Sequence, residues 1–443
     1  MHEFILVDQA SALFEGASGC RLHRNPASQK CKFLPLGKWR KSLQQEDLPA
    51  RCQYITLSDH LDMVGVQLRA TWIQTRKANG DIIQERVSNT INPWRGGKFM
   101  PLSMRPCSVN SFVLSKVWFR CSSVDLRVAD ISAINSSVKS WLYGDMFEKP
   151  SEIIMCRPTS YGGLGVQSVK FRAQAALIRT FMETAANPQF RHSLLHWHLF
   201  QYHVLDDTTL PNPGFLPYYP DSFFQKIKQV HLHTPLNVKT MSTSQWTRVL
   251  TEEGVTMEQV PNQDTMQYVP SRSEMLSPNN DWLLSWRLCR LKCLNSEMIS
   301  FNFKLLHNLL PVRHRLHQLT PATSSLCTLC PDSSHETIEH ALLSCSFNNG
   351  TGQDLISTLQ IVVPGLTPEQ LLLLQFPNLT EAQEQSIVFL TAAWLLEVWD
   401  RRYKKIRITG FDIRTTLEAK CSLLRETRFH NNFEIMQELI QNL

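Results

Sequence analysis

The segment Cys327-Thr328-Leu329-Cys330, followed by Glu336-Thr337-Ile338-Glu339-His340 and closed by Cys345, decides how the rest of the chain reads. Its pattern is C-x-x-C, nine residues, a histidine, four residues and a third cysteine. Two cysteines two residues apart can turn both sulfurs toward one point, and the later His and Cys complete four soft or borderline donors. A tetrahedral zinc ion asks for that inventory, with bonds of ~2.3 Å to thiolate and ~2.0 Å to imidazole. Four protein donors leave no open position, so such a site holds a fold together and activates no water. The competing reading is three buried cysteines and a surface histidine that lie close together by chance. His335 is the rival nitrogen donor. It follows Asp332 and two serines and is expected in solvent.

Upstream, Trp282, Leu283, Trp286, Leu288, Leu291 and Leu294 lead into Met298, Phe301, Leu305 and Leu309 at helical spacing, a stripe that stops at Pro311. The other face carries Arg287, Arg290, Lys292, Lys304, His307, Arg313 and Arg315. A charged helix face is ordinarily just solvated. One that leads into a metal knuckle is a candidate phosphate-tracking surface. Downstream, beyond Leu371–Leu374, a long helix is expected from about Thr380 to Arg407, burying Ile387, Phe389, Leu390, Ala393, Trp394 and Val398. It ends in Arg401-Arg402-Tyr403-Lys404-Lys405-Ile406-Arg407, where cations also complement the helix dipole. A further helix is expected from Asp412 to about Leu424, and another from Asn432 to the end.

A chain of 443 residues can bury more than one core, and two or three domains are expected. Hydrophobic content of 43% against 19% charged residues is that of a globular protein. A net charge of +6 permits nucleic-acid binding without requiring it, because the excess is spread thinly. The 12 cysteines are scattered, and the start, Met1-His2-Glu3-Phe4, is not that of a secretory leader. Reduced thiols of the cytosol or nucleus are the expectation. No run of about 18 apolar residues is present to span a membrane.

At the front, Ile5, Leu6, Ala10, Leu13 and Phe14 repeat at helical spacing before Gly16 and Gly19. Lys30–Leu34, Tyr54–Leu57 and Met63–Leu68 read as strands of a small α+β piece. From about residue 80 the pattern turns helical, with stripes through Ile82–Ile91, Val109–Phe119 and Ile131–Leu142 and a long helix from Val169 to Phe181. Before that last helix lies Tyr161-Gly162-Gly163-Leu164-Gly165-Val166. Its spacing fits neither phosphate-binding glycine motif, so these glycines are expected to serve backbone geometry. Residues 186–280 carry His192, His196, His198 and His203, prolines between 211 and 220, and polar runs, which together read as a linker rather than a metal site.

The stretch Trp286 to Cys345 resembles the zinc-binding segment downstream of reverse transcriptase in LINE-type (non-LTR) retrotransposon polyproteins. The matching features are Phe301-x-x-x-Leu305-Leu306-His307-Asn308-x-Leu310-Pro311-Val312, the C-x-x-C pair, Glu336-Thr337-x-x-His340 and Cys345. The resemblance makes Cys327, Cys330, His340 and Cys345 the metal ligands. Phe14-Glu15-x-x-Ser18-Gly19-Cys20-Arg21-Leu22-His23 with Lys30-Cys31-Lys32 looks like the palm segment after the polymerase active site, with His23 where Asn is usual. Met63-Val64-Gly65-Val66 looks like the primer-grip turn. Trp94, Pro101–Arg105 and Trp118-Phe119 look like the thumb.

Reverse transcriptases hold two magnesium ions on aspartates of two palm motifs, the second being [YF]-x-D-D. The adjacent pair in this chain, Asp206-Asp207, follows Val204-Leu205 far beyond the thumb-like part and reads as loop. The resemblance therefore implies a C-terminal portion of such a polyprotein, starting just after the catalytic motif and inactive as a polymerase alone. The expected fold class is mainly α with a small α+β remnant at the N-terminus, multidomain, with a zinc knuckle near the C-terminus. The implied parts are a palm edge over 1–75, a thumb-like helical domain over 76–185, a linker over 186–280, the zinc-binding domain over 281–350 and a helical region over 351–443. Structural Zn is the implied cofactor, and Mg only in a longer polymerase. The implied partner is RNA or an RNA–DNA hybrid, first its own element's transcript, with no membrane, in cytoplasm or nucleus. Expected phosphate contacts are Arg287, Arg290, Lys292, Lys304, Arg313, Arg401, Arg402, Lys404 and Lys405. Two other readings stay open: a piece of a longer, active RNA-directed DNA polymerase, and a decayed or structural protein without a ligand.

Overall fold

Four short strands and the helix that follows them account for the described front of the chain. The computed structural model describes residues 9–10, 12–13, 15, 31–35, 42–94, 100–144, 146–186, 242–245, 247, 281–425 and 433–441. The palm-like residues Ser18 to Lys30, the four histidines between 192 and 203, and Asp206-Asp207 lie outside them. Two compact units divide the chain, one comprising 1–95, 111–138 and 167–259, the other 96–110, 139–166 and 260–443.

In the first unit β1 (Cys31–Phe33) pairs in parallel with β2 (Ile55–Leu57), Cys31 opposite Ile55. Gln45 acts as a further half-strand, its amide donating to the Ile55 carbonyl at 2.8 Å and accepting from the Leu57 N–H at 2.8 Å. The expected single strand Met63–Leu68 is instead the hairpin of β3 (His60–Met63) and β4 (Val66–Arg69). Val64 and Gly65 both take positive φ, 48° and 79°, as a two-residue turn that matches strand twist requires.

Helix α1 (Trp72–Ile91) starts earlier than the apolar stripe indicated, because Thr71 caps it and its first turns bury polar groups. Asn79 donates to the Gln67 carbonyl at 2.7 Å and accepts from the Gln67 N–H at 3.0 Å, while Thr75 Oγ1 accepts from the Arg69 N–H at 2.8 Å. Two side chains one turn apart thus satisfy β4 where a neighbouring strand would. That is why α1 shows no clean apolar face. Helices α2 (Ser115–Cys121), α3 (Val128–Tyr143) and α4 (Val169–Ala186) follow, with α1 and α4 each packing on α2. Gly80 of α1 admits the buried Asp130 carboxylate, which Gln84 and Arg127 hold at 2.8 Å each.

The second unit contains α5 (Trp282–Leu288), α6 (Ser296–Leu306), α7 (Arg313–Leu319), α8 (Thr351–Leu359), α9 (Pro368–Leu372), α10 (Glu381–Tyr403), α11 (Gly410–Arg425) and α12 (Phe433–Gln441). The stripe expected to run unbroken from Trp282 to Leu309 is two helices. Asn295 caps the second, accepting from the Met298 N–H at 2.9 Å, and its side chain competes with continuation of a helix through it. Leu288, Cys289, Cys293 and Leu294 nonetheless stay buried across the break.

Helix α10 is the axis of this unit's core, opening on a Thr380/Gln383 capping box. All six residues expected on its buried stripe are buried, among them Trp394 and Val398. The helix stops at Tyr403, not Arg407. Lys405 takes φ 57°, and Lys405 and Ile406 donate back to the Arg402 and Arg401 carbonyls at 3.0 and 2.9 Å. This is a Schellman close with lysine at the position that ordinarily takes glycine. Among the described residues, no helix is long and apolar enough to cross a membrane.

Candidate metal centre

The knuckle is a short loop closed by a wide turn. Leu326 and His335 form an isolated antiparallel bridge, with the Cys327 N–H donating to Ser334 O and the Glu336 N–H to Ser325 O, both at 2.9 Å. This pinch curls Cys327–Cys330 back on itself, and the Leu329 N–H donates to Cys327 Sγ at 3.4 Å. The second pair of donors comes from a π-type turn, His340–Ser344, started by Thr337 Oγ1 accepting the His340 N–H at 3.1 Å. The Cys345 N–H donates to the His340 carbonyl at 2.8 Å, so one widened turn brings the His340 ring and the Cys345 sulfur to the same side. Wide turns of this kind recur at functional sites.

The donor atoms of Cys327, Cys330, His340 and Cys345 all lie within 4.8 Å of one another. Cys327 Sγ and Cys345 Sγ are 3.9 Å apart, and Cys330 Sγ and His340 Nε2 are 3.4 Å apart. A tetrahedral zinc site has sulfur–sulfur edges of about 3.8 Å and sulfur–nitrogen edges of about 3.5 Å, given its bond lengths. A disulfide would need sulfurs at about 2.05 Å. The spacing therefore fits an ion between the sulfurs and no covalent bond. Cys327, His340 and Cys345 are buried, and Cys330 sits at the rim. His335, the rival, is exposed and bonded through Nδ1 to Ser325 Oγ at 2.8 Å.

The electrostatics of the donor set are divided. Burial raises the Cys327 thiol, but N–H groups of Leu329 and Cys330 and the Arg402 guanidinium outweigh it and hold the pKa down at about 6. Burial, with the neighbouring Cys327 and Cys345 sulfurs, pushes Cys330 up to about 12. Crowded sulfurs cannot all ionise beside one another unless a cation joins them, which is the condition zinc meets.

Arg402 reaches this cluster from the last turn of α10. Its Nη1 donates to Cys345 Sγ at 3.3 Å and its Nη2 to Cys327 Sγ at 3.1 Å. Glu336 orients the guanidinium, accepting from Nη2 at 2.7 Å and from Nε at 3.1 Å. Three thiolates around a dication would leave one negative charge, and Arg402 faces it. Outer-shell groups of this kind are worth roughly 10–100-fold in metal affinity. Arg402→Met is therefore expected to weaken zinc binding by about tenfold or more in a chelator competition, with Arg402→Lys intermediate. Equal affinity in all three proteins would refute the role.

The nine cations expected on phosphate are not one surface. Arg402 is inside. Arg290 donates to the Gly163 carbonyl at 3.0 Å, and burial lowers its pKa. Lys304 is likewise lowered, by burial and then by Arg105. Arg287 forms a fork with Glu384 at 2.8 and 2.6 Å while staying half exposed. Arg401 pairs with Glu397 at 2.8 Å, and half-buried Arg313 donates its backbone N–H to Glu336. Lys292, Lys404 and Lys405 are exposed.

His307 and the glycine loop were not read from the sequence as partners. His307 Nε2 donates to the Gly162 carbonyl at 2.7 Å, and its ring stacks on Trp286 at 4.8 Å. Burial pushes its pKa down to about 4, aided by Arg157 and Arg290. Because the folded value lies below the ordinary ~6.5, the neutral ring's contribution is fully present above about pH 6.5 and is lost as pH falls toward 4. The expected loss at pH 5 is about 2 kcal/mol relative to neutral pH. His307→Gln keeps the zinc donors, so the difference between its stability–pH curve and the parent's isolates this group. Identical slopes would contradict the assignment.

A Cys3His set whose donor atoms all lie within 4.8 Å of one another fits a structural zinc knuckle as the class of site. Residues 269–351 match the family described as zinc-binding in reverse transcriptase, a span that includes all four donors. None of the curated proteins compared with the chain matches it. The donor set and the family match together support structural zinc in a retrotransposon-type reverse-transcriptase region.

Proposed function

We propose that this chain is the C-terminal portion of a LINE-type retrotransposon polyprotein and that it binds RNA or an RNA–DNA hybrid without polymerising. The observation that carries the reading is the convergence of Cys327, Cys330, His340 and Cys345 inside the segment similar to reverse-transcriptase zinc-binding domains. Zinc in this role is structural: it fixes the knuckle against α10 and so fixes the cations that flank it. Lys292, Lys404 and Lys405 are the exposed members of the expected set, and they suit phosphate contacts that hold a strand without reading its sequence.

The test is anisotropy titration of the zinc-loaded chain with labelled RNA, hybrid and DNA duplexes across a salt series. Binding that tolerates sequence change and weakens steeply with salt is expected. No binding to any polynucleotide at low salt would overturn the reading. A primer-extension assay with magnesium is expected to give no product from this chain, and robust synthesis would replace the reading with that of an active polymerase.

A further inference from the structure

We infer that the turn Tyr403–Phe411, between α10 and α11, is a platform for single-stranded polynucleotide, with bases stacked on Tyr403 and Phe411 and phosphates held by Lys404, Lys405 and Arg407. This platform presupposes a polynucleotide-binding chain, as proposed above, and names the surface and the strandedness.

The turn is rigid from beneath and unusual on top. Ile408 is fully buried as a plug, Asn349 donates to the Ile408 carbonyl at 2.7 Å, and the Schellman bonds of Lys405 and Ile406 fix the entrance. Arg402, one residue before, is tied to the zinc donors. On this base Tyr403 and Phe411 are each 78% exposed and Ile406 48% exposed. Water-facing aromatic rings gain nothing for the fold. From Asp400 to Asp412 the sequence has five cations between two carboxylates; Lys404, Lys405 and Arg407 are the exposed three, and of these Lys404 lies 3.9 Å from the exposed Asp400.

Lys405 sharpens the point. At φ 57° a glycine would be free of strain, whereas lysine is strained there. The backbone gives no reason for lysine there, and a phosphate does. Beside Phe411 a hollow of about 460 Å³ runs along α11, lined by Arg401, Asp412, Thr415, Thr416 and Lys420. Its one carboxylate, Asp412, is occupied by the Thr409 N–H at 3.1 Å and by Arg401 at 3.6 Å. Exposed rings next to cations suit unpaired bases, whose faces are open, and do not suit a duplex, whose faces are stacked.

The experiment uses the zinc-loaded full chain with labelled oligo(U), oligo(dT) and a duplex, each about 20 nucleotides long, enough for at least one site. Tyr403→Ala with Phe411→Ala is expected to weaken single-strand binding about tenfold or more without changing the salt dependence. Lys404→Gln, Lys405→Gln and Arg407→Gln together are expected to lower the slope of log K against log salt by about 2. Lys116→Gln with Lys149→Gln, two exposed lysines outside the proposed contacts, serves as the contrasting surface and is expected to leave single-strand binding unchanged. Oligo(U) bound more tightly than oligo(dT) would assign the platform to RNA, and the reverse to DNA. Wild-type binding that all platform variants retain would overturn the platform and leave the nucleic-acid reading standing. A wild type that binds no oligonucleotide would overturn both. Equal affinity for duplex, or binding to phosphatidylserine vesicles in place of oligonucleotides, would overturn the single-strand assignment. Zinc content and melting temperature should match the parent in every variant, since none of the platform side chains is buried.

Discussion

Cys345→Ser is expected to reduce bound zinc from about one per chain to a small fraction and to lower the melting temperature of the second unit by roughly 10 °C or more. Cys345 is 1% exposed, and its sulfur is one of the four donors and an acceptor for Arg402 Nη1. A serine hydroxyl does not ionise at neutral pH and is a poor zinc ligand, so three donors remain where a closed structural site needs four. The Arg402 guanidinium, already taken out of water, loses one acceptor in the same step, with Glu336 and Cys327 left to hold it. Structural zinc contributes about 10–16 kcal/mol to small zinc-finger peptides. Here the surrounding apolar core can survive part of that loss, which is why a lowered transition is expected rather than a fully unfolded chain. Cys421→Ser is the control: that cysteine is buried against Met436 Sδ at 3.9 Å, away from the donors, and should leave zinc content unchanged. Metal analysis with calorimetry decides the matter. Full zinc occupancy in Cys345→Ser would remove it from the ligand set.

Gly162→Ala is expected to destabilise the second unit by about 3 kcal/mol. Gly162 adopts φ 79°, and a Cβ built there would stand 2.4 Å from Trp286 Cε2. Trp286 cannot retreat, because it is 1% exposed and stacked between Trp282 and His307 at 5.9 and 4.8 Å. The left-handed backbone accounts for about 1 kcal/mol of the loss and overpacking for the rest. Gly165→Ala separates the two effects. It has a similar φ of 71° but meets only Thr159 Cγ2 at 3.3 Å, so it should cost about 1 kcal/mol. Urea midpoints at constant slope would measure both. Equal losses would mean that backbone strain alone, and no contact with Trp286, fixes the loop.

The long periodic helices were legible in the sequence because burial of one face repeats every turn. The α10 stripe of Ile387, Phe389, Leu390, Ala393, Trp394 and Val398 is an example, and each of these is buried. Breaks were harder to read. Asn295 interrupts the Trp282–Leu309 stripe, yet the break itself stays apolar, so hydrophobic pattern passes through it without a signal. Arg402 reads from its charge as a phosphate contact, whereas its side chain lies buried on the cysteine donors. It follows Val398 by four residues and so continues the buried stripe, a clue that was present but opposed by its neighbours Arg401, Lys404 and Lys405.

The zinc donors illustrate the division most clearly. C-x-x-C with a later His and Cys determined which four residues could meet, since local spacing constrains where neighbouring side chains can point. The sequence also determined that His340 and Cys345 stand five residues apart, but not that a π-type turn would align them. Only the tertiary structure decided what surrounds the donors: Arg402 comes from 57 residues beyond Cys345, with Glu336 holding it. Likewise it placed Gly162 on Trp286 and His307, 145 residues away from the latter. The reason is physical. Ligand spacing and helical periodicity are short-range properties written into neighbouring residues, whereas a guanidinium on a thiolate or a glycine under an indole depends on which distant surfaces the core brings into contact.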